Sequence, residues 1–225
     1  MDSTFFDFAE LDTHDVYKLI SGCVVPRPIA WVTTLDNNGK VNAAPYSFFN
    51  VFGADPPIVA INIGDRSAES PGAPQGGPKD SARLIRERGE FVINLVPYDL
   101  FEQMSLSATD FPPGMSEVEA LKLELAPSRK IAVPRLAGSP ASLECREHTT
   151  LQIGNNRMVI GVVVAMHIRS ASVDAEKKYV DTPSLDLVGR MGGGGGGGYV
   201  RTGDEFHMAR LNYAQWLERE EKTSD

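Results

Sequence analysis

The stretch from Arg27 to Asn50 constrains the fold more than any other part of the chain. Ile29, Trp31 and Thr33 alternate with smaller or polar neighbours at the period of a β-strand, and within the Asp36-Asn37-Asn38-Gly39 turn Asn38-Gly39 supplies the positive-φ positions of a tight reversal. The segment therefore reads as a hairpin. Its return strand is irregular, because Ala43-Ala44-Pro45 carries no bulk and Pro45 removes a ladder donor, leaving backbone open to a partner other than a strand. Ser47 and Asn50 then set polar groups beside Phe48 and Phe49. Small residues for close approach, hydroxyl and amide groups, and rings to stack on together suit a phosphorylated ring cofactor.

At 225 residues the chain is long enough to bury a substantial core, and residues 1–225 read as one domain. With 42% hydrophobic and 23% charged residues it has the balance of a soluble folded protein. No apolar run approaches ~18 residues, and Met1-Asp2-Ser3-Thr4 lacks the basic and apolar segments of an export signal, so a cytoplasmic location is expected. The net charge of -8 and the scattered basic residues argue against a nucleic-acid partner.

Short strands are predicted at Gly22 to Val25, Ile29 to Leu35, Lys40 to Ala44, Ile58 to Asn62, Phe91 to Leu95, Leu143 to Ile153 and Met158 to Ile168. Helices are predicted at Thr13 to Leu19, at Lys79 to Arg88 with Gly89 closing it, at Tyr98 to Ala108 and at Glu117 to Leu121. Many short strands with a few helices argue for a barrel rather than βαβ units. Residues 66–78, rich in Pro and Gly, and the seven-glycine run 192–198 read as flexible loops.

Cys23 and Cys145 stand apart, outside any metal-ligand spacing, and read as ordinary buried or half-buried thiols. His14, His148 and His167 have no carboxylate or nucleophile at telling spacing, while His207 could approach a site if the tail folds back. No Gly-x-Ser-x-Gly elbow and no dinucleotide-binding Gly-x-Gly-x-x-Gly after a strand occurs. Arg27, held between Pro26 and Pro28, has its backbone fixed on both sides, which favours a placed guanidinium. Lys79, at a predicted helix start, is suited to an anion because the helix dipole adds favourable potential there. Ser81 can donate a hydroxyl to the same anion, and Asp80 is expected to cap the helix rather than face it.

The Arg27 to Asn50 segment, followed by Asp55-Pro56-Pro57 and then by Lys79-Asp80-Ser81, closely resembles the flavin reductase-like family of FMN-binding split barrels. The resemblance implies a mainly β split barrel with added helices. It carries FMN contact to Arg27, Pro28, Ile29 and Ala30, to Ser47, Phe48, Phe49 and Asn50, and to Lys79, Asp80 and Ser81. Individually, Trp31, Phe48 and Phe49 read as core residues. The resemblance also implies a homodimer, in which a second chain covers a one-sided flavin groove. Its implied activity is oxidoreduction, with NADH or NADPH passing hydride to flavin N5 and with no side chain assigned as acid or base. Relatives that use dinucleotides resemble one another at a Gly-Asp-His segment whose His faces the nicotinamide; here Gly154-Asn155-Asn156-Arg157 puts Asn156 in that place. That departure keeps open an FMN-carrying electron-transfer protein, similar to flavoredoxin, served by a redox protein partner. A pyridoxamine-phosphate-oxidase-like enzyme on the same barrel is the weaker alternative.

Overall fold

A computed structural model describes residues 2–66, 76–112, 115–192 and 197–223. The expected loop tip within 66–78 and the centre of the glycine run fall outside the described residues. Seven antiparallel strands form the main sheet: β1 (Ala30–Leu35), β2 (Val41–Tyr46), β3 (Phe49–Ala54), β4 (Pro57–Gly64), β5 (Glu90–Leu95), β6 (Ala141–Ile153) and β7 (Asn156–Ile168). Their spatial order is β2-β1-β5-β6-β7-β4-β3.

That order fixes the shape. The two edge strands, β2 and β3, are consecutive in the chain and joined by only Ser47 and Phe48, so the sheet must roll back on itself to bring its edges together. No ladder joins the two edges, which makes this a split barrel. Pro45 lies in β2 and is tolerated because an edge strand needs no donor on its free side.

Strand β1 is buried on both faces. Ala30 and Val32 join Phe91, Ile93, Leu143, Cys145 and Ile61 inside the barrel, while Ile29 and Trp31 join Met104, Val118, Leu136 and Val188 outside it. A strand covered on both sides reads as a continuous apolar run, as Ile29 to Val32 does. Trp31 is fully buried, and its indole N–H donates to Ser107 Oγ at 2.9 Å. The long β6–β7 hairpin turns at Gly154, which has φ of 60°. Its register shifts at Ile160/Gly161 and at Val163/Ala165, as β-bulges that bend a long ribbon do.

The helices are α1 (Thr13–Cys23), α2 (Asp80–Arg88), α3 (Phe101–Leu106), α4 (Glu117–Ala120) and α5 (Tyr213–Thr223). Asp12 caps α1 by accepting from the Asp15 amide at 2.8 Å. This helix runs on through Cys23, so the strand expected at Gly22 to Val25 is absent; Gly22 and Cys23 extend the helix because the Val24 amide closes its last turn on the Ile20 carbonyl. The expected Tyr98 to Ala108 helix opens as a 3-10 turn and is α-helical only over Phe101–Leu106. Sequence patterning also missed β3, whose outward Val51 and Phe52 break the alternation, and α5. Cys145 is buried, and its thiol pKa is pushed up by desolvation and then by the Glu144 charge. Cys23 is exposed, contrary to expectation, because α1 presents its last residue to solvent. No helix among the described residues is long and apolar enough to cross a membrane.

Candidate functional site

The expected site residues gather around the seam between β2 and β3, but in two grooves. The first, about 480 Å³ in volume, takes in Arg27, Pro28, Ser47, Phe48, Phe49 and Asn50. The second takes in Lys79, Asp80 and Ser81 together with Pro45 and Tyr46. The chain passes from one groove to the other between Tyr46 and Ser47. Ile29 and Ala30 lie in neither, being 4% and 0% exposed in the two cores.

Arg27 is the best-placed side chain of the first groove. It is 5% exposed, and Nη1 donates to the carbonyls of Ser21 at 2.6 Å and Val24 at 2.8 Å. Nε reaches Ser47 Oγ at 3.4 Å, and the guanidinium lies 5.7 Å from the centre of the Phe48 ring. The arginine therefore ties the end of α1 to the seam, and a cation there complements the negative end of the helix. Desolvation pulls its pKa below the ordinary value, with nearby Tyr17 opposing and Arg190 adding to that pull, yet a guanidinium stays charged.

Phe49 packs inside the barrel at 8% exposure, whereas Phe48 is 38% exposed and faces the groove. The core expectation thus holds for Phe49 and Trp31 and fails for Phe48, because the two-residue seam points successive side chains to opposite sides. Asn50 is exposed, and its Oδ1 accepts from the Val51 amide at 2.8 Å. Patterning did not single out Asn62 of β4. Val59, Ile61 and Ile63 point inward, so Ala60 and Asn62 point to the groove, a polar-and-small outer register that could have betrayed them. Asn62 Nδ2 donates to Asn156 Oδ1 at 2.7 Å, while Asn62 Oδ1 is buried with no partner. Asn156 therefore does line the groove, and its own Nδ2 is held by the Ile153 carbonyl at 3.3 Å. Ile20, Val24, Phe52, Ile153 and Met158 supply the apolar wall.

In the second groove Lys79 precedes the first turn of α2 and makes no side-chain cap bond. Asp80 does not cap the helix as expected. Its carboxylate is taken by Arg66 and by Arg83, the latter at 3.1 Å, because two guanidiniums outbid the backbone amides. Lys79 has no carboxylate partner among the described residues. Ser81 is buried; its hydroxyl meets the Asn42 amide oxygen at 3.0 Å and also bonds Tyr46. Burial pushes the Tyr46 phenol up to about 12, the Ser81 bond acting against that rise, so it is neutral at physiological pH. Glu117 is raised from its ordinary value by desolvation, although the Ala43 amide donates to it at 3.1 Å. The Asn42 amide nitrogen lies 3.2 Å from the same carboxylate.

The remaining histidines stay outside both grooves. His167 is held on Glu144 at 2.5 Å, and His207 lies beside Glu205 at 3.3 Å on an exposed tail that does not fold back to the seam.

Residues 21–186 match the flavin reductase like domain. The chain belongs to that family. An uncharacterized protein of Deinococcus radiodurans is 50% identical over 224 residues, covering 97% of this chain and 95% of its own length. Among solved structures, the Pseudomonas fluorescens 2-nitrobenzoate 2-nitroreductase is 36% identical with a TM-score of 0.82, covering 93% of this chain and 98% of its own. Nitrilotriacetate monooxygenase component B of Bacillus cereus is 28% identical with a TM-score of 0.83, covering 92% and 100%. Family membership makes the split barrel a flavin-related fold, and the first groove combines one apolar wall, a fixed guanidinium and a buried amide oxygen without a partner.

Proposed function

We propose that this protein is an FMN-binding oxidoreductase that reduces flavin with a dihydronicotinamide. The observation that carries the reading is the groove at the seam, where Asn62 Oδ1 is a buried acceptor without a partner beside Arg27, Ser47 and an apolar wall. A buried orphan acceptor is costly, and a ring N–H would satisfy it. When bound, FMN supplies the hydride-accepting ring atom, so the protein's part is placement. Arg27 and Ser47 hold the seam in one conformation, and Ile20, Val24, Ile153 and Met158 keep water off one side. Lys79, with Ser81 and the free amides opening α2, would hold the phosphate. Arg27 and Ser47 are contact residues in this reading, as are Pro28, Phe48 and Asn50, whereas buried Ile29 and Ala30 would contribute backbone alone.

The relative at 36% identity is named as a reductase and the one at 28% as a component of an oxygenase; reduction of flavin is chemistry that serves both. We favour a homodimer, since Phe52 at 65%, Ile153 at 64% and Val24 at 59% exposure leave the groove's apolar wall open to a second copy. The visible spectrum of the purified protein and a fluorescence titration with FMN test the cofactor, and steady-state consumption of NADH and NADPH tests the reductant. Absence of saturable FMN binding would refute the reading. One observation favours a second reading, an FMN-carrying electron-transfer protein: the Asn156 amide is held between Asn62 and Ile153 rather than turned to a second substrate. Tight FMN binding without dinucleotide oxidation would select it.

A further inference from the structure

A cavity of about 530 Å³ lies away from the seam, between the end of β7 and the segment that leads into β6. Arg129, Arg135, Arg169 and His167 line it together with Ser139 and Ser170, and it shares no lining residue with either groove. No Asp or Glu is among its lining residues. Arg66, Arg83, Arg86, Arg146, Arg157 and Arg201 each meet a carboxylate, and Arg27, Arg88 and Arg190 meet backbone carbonyls or a ring, whereas the three cavity arginines have no ion pair among the described residues. Arg135 Nε is moreover buried without any hydrogen-bond partner. In a chain of net charge -8, three unpaired guanidiniums on one polar cavity run against the overall bias.

The surroundings hold the backbone of Arg129 and Arg135 in place. Thr33 Oγ1 donates to the Pro134 carbonyl at 2.7 Å, and Asn94 Oδ1 accepts from the Leu136 amide at 2.9 Å, so the backbone is pinned on both sides of Arg135 by fully buried side chains. Glu144, also fully buried, accepts the amides of Arg129 and Lys130 at 2.7 Å each and His167 Nε2 at 2.5 Å. Glu144 is the nearest carboxylate the contacts reveal, and three donors already screen it. A planar guanidinium fork with fixed backbone is suited to oxygen anions that accept two bonds at once.

We infer that this cavity is a second anion site, built for a phosphate group and independent of the flavin groove. The bound group is the phosphate of a small organic phosphate or a free phosphate or pyrophosphate ion; all share the chemistry that the guanidiniums recognise. The test is calorimetric titration of the full chain with inorganic phosphate, with pyrophosphate and with a sugar phosphate at low salt. Saturable binding is expected, and the ligand bound tightest identifies the source. Arg135→Gln and Arg169→Gln should each weaken it by about tenfold or more, Arg135→Lys should weaken it less, and FMN titration should be unchanged in all three. Should Arg135→Gln fail to fold, exposed Arg169 carries the test. Lack of saturable binding to the wild type, or equal binding by wild type and Arg169→Gln, would overturn the inference. So would a result in which Arg169→Gln changes only the oligomeric state, since the arginines would then serve carboxylates of a second copy.

Discussion

Gly161→Ala puts a methyl group where the barrel has no room for one. A Cβ on Gly161 would lie 2.5 Å from Phe91 Cζ, 3.0 Å from Phe91 Cε1 and 3.4 Å from the Arg146 carbonyl. Carbon contacts settle at ~3.5–4.0 Å, so the ring must retreat by about 1 Å. Phe91 is fully buried in the same cluster as Ile93, Leu143 and Val159, and a filled interior resists that movement. Overpacking of this kind costs about 1–3 kcal/mol. Alanine recovers part of it, about 0.5–1 kcal/mol, because it loses less backbone entropy than glycine in a strand. An approach of 2.5 Å puts the overpacking cost at the upper end, about 2–3 kcal/mol, so the expected net loss is about 1–2.5 kcal/mol, or a fall of about 2–10 °C in Tm for a domain of this size. Urea unfolding and thermal melts of Gly161→Ala, of Phe91→Leu and of the double variant measure it. Phe91→Leu alone should destabilise through a cavity, whereas the pair should lose less than the sum of the singles by about 0.5 kcal/mol or more. Strict additivity, or a Gly161→Ala protein as stable as wild type, would refute the packing argument.

Lys79→Ala should weaken FMN more than riboflavin, by about 1.5–3 kcal/mol if its ammonium meets the phosphate; equal losses measured by fluorescence titration would remove Lys79 from that role. Asn156→His should raise NADH or NADPH turnover with little change in FMN affinity, and fast turnover by the wild type would show that the missing His is not needed. Two buried carboxyls should tilt the stability-pH curve in opposite senses. Glu117, raised above its ordinary 4.5, favours the folded state at low pH and loses that contribution as pH rises through its folded value, so Glu117→Gln should flatten the decline above 4.5. Burial alone would raise Glu144, but the Arg129 amide, His167 and the Lys130 amide outweigh it and hold it below 4.5; its contribution is lost as pH falls through that lower value, so Glu144→Gln should flatten the acid limb in melts across acidic pH.

What could be read from the sequence was whatever a period or a turn residue encodes. The Asp36 to Gly39 reversal is present, with Asp36 Oδ1 accepting the Asn38 amide at 2.8 Å and the Lys40 amide at 2.7 Å, but of the two expected positive-φ residues only Gly39, at φ of 84°, adopts that conformation. Helix α2 closes where Gly89 takes the left-handed conformation at φ of 72°. Arg27 between two prolines is a placed arginine. What could not be read depends on tertiary pairing. Nothing local tells that Val51 and Phe52 belong to an edge strand, and the alternation of β4 identifies its inner face without saying that Asn62 looks across at Asn156. Likewise Arg129, Arg135 and Arg169 are unremarkable as sequence, and only the fold brings them to one cavity.

The seam explains why the grooves open where they do. The two edge strands joined by Ser47 and Phe48 make no ladder with each other, so their outer backbone groups and the side chains beside them remain available. The Phe48 carbonyl accepts the Asn62 amide at 2.8 Å, which fastens the link to β4 and fixes how far the split can open. On one side of that fastened link lie Arg27, Ser47 and Asn62; on the other lie Tyr46, Lys79 and Ser81. A longer link would let the edges drift and would cost the ordering of every added residue, about 1–2 kcal/mol of backbone entropy each, before any ligand contact could form. The two-residue seam thus fixes the placement of both grooves in advance, and any ligand that spans them meets side chains whose ordering was completed on folding.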